Sequence, residues 1–154
     1  MSGGIVVGIG GGGSGFAAAR AAARLASSLD VPIVLVFGYE ASPLGPRGGP
    51  LEERIAVIGD EATSQIRTEL AAQWPDVRIE VELVGQRPAD ALMAVAEARG
   101  AETIAVGHGG LGPLRAALLG SVTYEVVHRS RRPVLVVPDD DDDEVAAASA
   151  PASP

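Results

Sequence analysis

Apolar and polar positions along this chain fall into two alternating periods. Ile5 to Ile9 is a short apolar run that ends in glycines, the mark of a buried strand. Between Phe16 and Leu29 the spacing becomes helical. Ala18, Ala22, Leu25 and Leu29 share one face, Arg20, Arg24 and Ser27 another, and Ser14 stands where a cap belongs. Val31 to Phe37 is a β-branched run close enough behind that helix to complete a right-handed β-α-β unit. Ala41 to Pro50, with three prolines and three glycines, reads as a loop. A helix is predicted from Leu51 to Trp74 with Ile55, Ile58, Ala62, Ile66 and Leu70 inward, and Pro75-Asp76 stops it.

The second half repeats the alternation. Val77 to Val84 has period two, with Val77, Ile79, Val81 and Leu83 on one side and Arg78, Glu80 and Glu82 on the other. Such a half-polar strand belongs near a sheet edge. Pro88 suits the first turn of a helix through Arg99, and Gly100 ends it. Thr103 to Gly107 is a fully apolar strand. A glycine-rich loop follows, then a helix to about Arg129 with Leu118, Val122 and Val126 on one face, and a last strand from Pro133 to Val137. Five strands alternating with four helices predict an α/β fold: a five-stranded parallel sheet with helices on both faces. Residues 1–138 form the expected domain. The acidic, then Ala/Ser/Pro-rich segment 139–154 is expected to be a disordered tail.

Composition narrows the chemistry. All twelve basic residues are Arg, so a Walker-type phosphate loop and Schiff-base catalysis are both excluded. With no cysteine there are no disulfides and no thiol chemistry. The net charge of −8 owes six negative charges to the run Asp139 to Glu144, which reads as a solvating tail. Neither nucleic acid nor a membrane surface is an expected partner. No apolar segment is long enough to span a membrane and no secretory leader is evident, which points to the cytoplasm.

Two glycine-rich loops fall after strands, at the end of the sheet where α/β folds bind ligands. The first, VVGIGGGGSG at 6–15, fits the dinucleotide pattern G-x-G-x-x-G at Gly8, Gly10 and Gly13, with Glu40 closing the second strand as a candidate ribose ligand. That pattern is short, four consecutive glycines satisfy it readily, and the chain has no room for a substrate domain. In the second loop, Gly107, Gly110, Gly120 and Ser121 stand in the longer spacing G-x2-G-x9-G-[ST].

That spacing, with GIVVGI in the first strand and ETIAVGHGGLGPLRAALLGSVTYEVVHRSRRPVLVVP in the last third, resembles the universal stress protein family over residues 4–138. The resemblance implies a Rossmann-like sheet of order 3-2-1-4-5 and a homodimer through the last strand, Val134, Leu135, Val136 and Val137. It also implies binding of ATP or a related adenine nucleotide, with or without Mg2+, in a stress-response sensor or regulator. Backbone at Ile9 and around Phe37 and Gly38 would line the adenine. Gly107, His108, Gly109 and Gly110 would bring backbone to the ligand. Gly120, Ser121, Val122 and Thr123 would set N–H groups, and the Ser121 and Thr123 hydroxyls, against phosphate. ATP-binding members typically end the first strand in an Asp within a D-x-S-like sequence; here Gly10 holds that place.

Bland readings stand beside these. Gly107, Gly110 and Gly120 also suit turns, and Ser121 and Thr123 also suit a helix start. His108 has no partner that would make it catalytic, Arg115 could reach phosphate or face solvent, and His128, Arg129, Arg131 and Arg132 read as a solvated helix end. No paired carboxylates, His cluster or nucleophile motif indicates an enzyme, beyond at most slow ATP hydrolysis. Two alternatives to a nucleotide-binding regulator remain at this level: a dimeric interaction protein that binds no nucleotide, and a small dinucleotide-binding protein.

Overall fold

The computed structural model describes residues 3–10, 15–40, 49–109 and 119–138. The elements are β1 (Ile5–Gly8), α1 (Phe16–Leu29), β2 (Ile33–Gly38), α2 (Pro50–Gln73), β3 (Ile79–Val84), α3 (Pro88–Arg99), β4 (Thr103–Gly107), α4 (Ser121–Arg129) and β5 (Val134–Val137). All strand pairs are parallel, in the order β3-β2-β1-β4-β5. Ile5 aligns with Ile33 on one side and Thr103 on the other. The order reverses at β1, so the carboxyl ends of β1 and β4 diverge and leave a crevice between them.

Alternation along each strand divides the core. Ile5, Val7, Ile33, Leu35 and Ala105 face α1 and α2, whereas Val6, Val34, Val36, Ile104 and Val106 face α3 and α4. Ala18, Ala19, Ala22, Ala23 and Ala26 are wholly buried, and their small side chains bring α1 close to the sheet. Leu25 and Leu29, expected on the inner face, are instead exposed. Close approach favours Ala over Leu, and the helix has turned accordingly. Ser14 lies outside the described residues. Gly15 holds the N-cap position in a left-handed conformation (φ 99°), with no side-chain cap.

α2 shows a second rotation. Glu52 and Glu53 in its first turn complement the helix dipole. Its buried positions, however, are Gly59, Thr63, Ile66 and Leu70. Ile66 and Leu70 agree with the sequence reading, but Ile58 is exposed and Ile55 and Ala62 are only half-buried. A Cβ at Gly59 would stand 2.8 Å from the Phe37 ring, so the missing side chain is what lets the helix approach β2 there. In α4, Val122 and Val126 face the core as expected, whereas Leu118 lies outside the described residues.

β3 lies at the edge, and its polar face is covered by an ion-pair cluster. Arg99 of α3 donates to Glu80 at 2.5 Å and, through Nε at 2.9 Å, to Glu82. Burial by itself would raise the Glu80 carboxyl. The Arg99 hydrogen bond and charge, with Arg78 beside it, outweigh that and hold it below its ordinary value. Arg99 is held more firmly protonated, first by Glu82 and then by Glu80. A depressed carboxylate contributes stability in full above its unfolded value, about 4.3, and loses it as pH falls through the lower folded value. Arg99→Met is therefore expected to cost up to about 1 kcal/mol at neutral pH, as suits partly exposed pairs. Urea unfolding at pH 7 and pH 3 should show the gap between variant and parent narrowing in acid.

Candidate functional site

At the carboxyl ends of the strands, a cavity of about 270 Å³ opens among the described residues. This is just below the range usual for small-molecule sites, about 300–1,000 Å³. The end of β1 and the residues just after it contribute Gly8, Ile9 and Gly10, β2 contributes Val36, Phe37 and Gly38, the end of β4 and the loop after it contribute Val106, Gly107 and Gly109, and the start of α4 contributes Gly120 to Thr123. Two side chains of α3, Pro88 and Leu92, complete the wall. A larger cavity, about 510 Å³, lies at the opposite end of the sheet near Gly3, Pro32 and Arg78. Size alone favours that one. Position favours the smaller, which sits where the strand order reverses and where helix N-termini supply free N–H groups.

The glycines of this region differ in what they do. Gly109 is left-handed (φ 74°) and packs against Gly120, where an added Cβ would stand 2.8 Å from the Gly109 carbonyl carbon. The Gly120 N–H donates to the His108 carbonyl at 3.0 Å, and the His108 N–H to the Val137 carbonyl at 2.9 Å. Gly38 admits α3, since a Cβ there would meet Pro88 Cα at 2.7 Å. Gly107 is different, because beyond its two chain neighbours no described residue has an atom within 4 Å of the place its Cβ would take. Packing against the described residues does not require glycine at 107, whereas it does at 38 and 120.

The start of α4 is set by the same contacts. Thr123 is buried and its hydroxyl donates to the Gly107 carbonyl at 2.6 Å, tying the helix to the end of β4. That proton is not available to a phosphate, and neither is the Gly120 N–H, contrary to the sequence reading. Tyr124 N–H to Gly120 carbonyl is the first intrahelical bond, which leaves the N–H groups of Ser121, Val122 and Thr123 without helical partners. The Ser121 side chain is exposed.

The sequence-derived residues therefore gather only in part. Ile9, Gly10, Gly38, Gly107, Gly109, Gly120, Ser121, Val122 and Thr123 line one cavity. His108 does not line it, and both its backbone groups are bonded within the fold, to Val137 and Gly120. Gly110 and Arg115 lie outside the described residues. The sequence reading missed Gly8, Val36, Pro88, Leu92 and Val106. Pro88 was legible as a helix start, but that this start docks on Gly38 depends on the β2-β3 pairing.

Beside the site, charged groups form a chain of pairs. Arg87 lies 2.5 Å from Glu125 and 3.9 Å from Glu40, and Arg129 lies 2.9 Å from Asp90 and 3.5 Å from Glu125. The buried Glu125 Oε2 has no hydrogen-bond partner among the described residues, although Arg129 remains within ion-pair range. None of these charged side chains lines the cavity.

Comparison with known proteins gives a consistent picture. The universal stress protein family model matches residues 1–138. A universal stress protein of Methanocaldococcus jannaschii is 31% identical over 125 residues, spanning 78% of this chain and 72% of the relative. The structure of a universal stress protein from Archaeoglobus fulgidus superposes with a TM-score of 0.69 at 22% identity, covering 89% of this chain and 98% of that one. A universal stress protein in complex with cAMP superposes with a TM-score of 0.64 at 29% identity, covering 90% and 98%. No helix among the described residues is long and apolar enough to cross a membrane. With its sheet order and the reach of the match along its length, this chain belongs to the universal stress protein family.

Proposed function

We propose that this chain binds ATP or a related adenine nucleotide in the cavity at the carboxyl end of the sheet. It acts as a cytoplasmic stress-response sensor or regulator without efficient catalysis. The observation that carries the reading is the meeting of two features. An apolar slot formed by Ile9, Val36, Phe37 and Leu92 suits a base, and it adjoins the N–H groups of Ser121, Val122 and Thr123, which have no helical partners among the described residues and suit a phosphate. Gly107 leaves room between them. The family relative held in complex with cAMP supports an adenine nucleotide as the ligand class. Calorimetric titration of the full chain with ATP is the direct test, and no heat at millimolar ligand rejects the reading.

The second reading, a dimeric interaction protein without nucleotide, draws on Gly10, which leaves no carboxylate on the cavity wall. Heating freshly purified protein and identifying the released small molecules separates the two, since co-purified adenine nucleotide excludes the second.

Both readings share a homodimer through β5. Val134 and Val136 pack into one half of the core, Leu135 and Val137 into the other, yet the outer edge of this apolar strand pairs with no strand among the described residues. An uncovered apolar edge invites pairing with a second copy. Sedimentation at micromolar concentration is expected to show a dimer, and a monomer rejects this part.

A further inference from the structure

A nucleotide polyphosphate commonly reaches a protein with a magnesium ion, which prefers oxygen ligands and usually takes one or two carboxylates from its host. This site does not offer them. Residues 3–29 and 103–124, which include both glycine loops, contain no Asp or Glu. The carboxylates on adjoining elements face arginines outside the cavity: Glu40 and the Glu125 Oε1 lie against Arg87, the Glu125 Oε2 is in ion-pair range of Arg129, and Asp90 pairs with Arg129. None of the three lines the cavity. Among the described residues, no group of three or more His, Cys, Asp or Glu could hold a metal ion. The lining oxygens are backbone carbonyls and two hydroxyls, and that of Thr123 is already donating to Gly107. Such a donor set does not fit a magnesium ion.

We propose that the site takes its adenine nucleotide without a protein-held divalent cation, the phosphate being met by backbone N–H groups at the start of α4. This rests on the nucleotide-binding reading and specifies the form of its ligand. Backbone N–H groups donate to phosphate oxygens whether or not a cation is present, so the protein gains nothing from magnesium. Gly10 is where a carboxylate would have to stand to change this, since it lies on the cavity wall at the end of β1.

The test is calorimetric titration of the full chain with ATP, and separately with AMP, in EDTA and in excess magnesium. Each nucleotide is expected to bind equally well in both conditions. Tightening of ATP binding by magnesium of about tenfold or more overturns the proposal while leaving nucleotide binding intact. No binding of either nucleotide in either condition overturns both. Gly10→Asp supplies the missing carboxylate and is expected to make ATP binding magnesium-dependent. If that variant binds ATP and stays indifferent to magnesium, the missing carboxylate is not the reason and the proposal fails.

Discussion

Gly15→Ala is expected to destabilise the folded chain by about 2–4 kcal/mol, as read from urea midpoints at constant m-value. Two costs add at this position. The backbone is left-handed, with φ 99° and ψ 0°, a conformation that L side chains rarely adopt. A Cβ would also stand 2.5 Å from the Gly8 carbonyl and 3.3 Å from Ile9 Cα, both backbone atoms that cannot swing aside. Relief requires moving either the end of β1, the central strand, or the start of α1, whose Gly15 carbonyl accepts from the Ala19 N–H at 2.8 Å. Five alanines of that helix are fully buried, so little slack exists. Against a total stability of typically 5–15 kcal/mol, the loss is large. A variant within about 0.5 kcal/mol of the parent would show that this junction yields.

Gly120→Ala should act on binding more than on folding, weakening the affinity for ATP about tenfold or more while the sheet stays assembled. The added carbon would collide with the Gly109 backbone, which is itself held in the left-handed region. These two glycines close the loop, and the collision pushes its ends apart. The Gly120 N–H to His108 bond and the Thr123 hydroxyl to Gly107 bond lie in the path of that movement. Breaking them re-aims the N–H groups of Ser121, Val122 and Thr123, which a phosphate needs held in a fixed direction. The main apolar core does not include this contact, so the loss of melting temperature should be smaller than for Gly15→Ala. Calorimetry together with thermal unfolding checks both parts. Undiminished ATP affinity would mean that the loop closure does not organise the site.

Sequence pattern located most elements to within a few residues, including α3 at Pro88–Arg99 and β4 at Thr103–Gly107. These were legible because their signals are local: a proline at a helix start, a left-handed glycine at its end, an unbroken apolar run. The inward faces of α1 and α2 were less legible. Hydrophobicity pointed to Leu25, Leu29 and Ile58 beside the correctly placed Ala18 and Ala22, but closeness to the sheet selected Ala19, Ala23, Ala26 and Gly59. Small residues bury a whole helix side by letting backbones approach, and no hydropathy pattern weights that gain. Likewise, the alternation of β3 foretold an edge strand but not that Arg99, from another element, would cover Glu80 and Glu82.

By itself, then, the sequence determined the α/β alternation, the absence of lysine and thiol chemistry, the family resemblance and the replacement of an acidic position by Gly10, since all of these reside in residue identity and spacing. Only the tertiary structure decided which glycines serve packing and which leave space. Gly15, Gly38 and Gly120 are held by contacts with residues brought near by the chain's return, whereas a Cβ at Gly107 would meet no described residue beyond its two chain neighbours. It also decided that the Thr123 hydroxyl and the Gly120 N–H hold the loop together instead of remaining free. The physical reason is the same in each case. A hydrogen bond or a close approach belongs to two residues at once, and the second lies at a distance along the chain that only folding makes short.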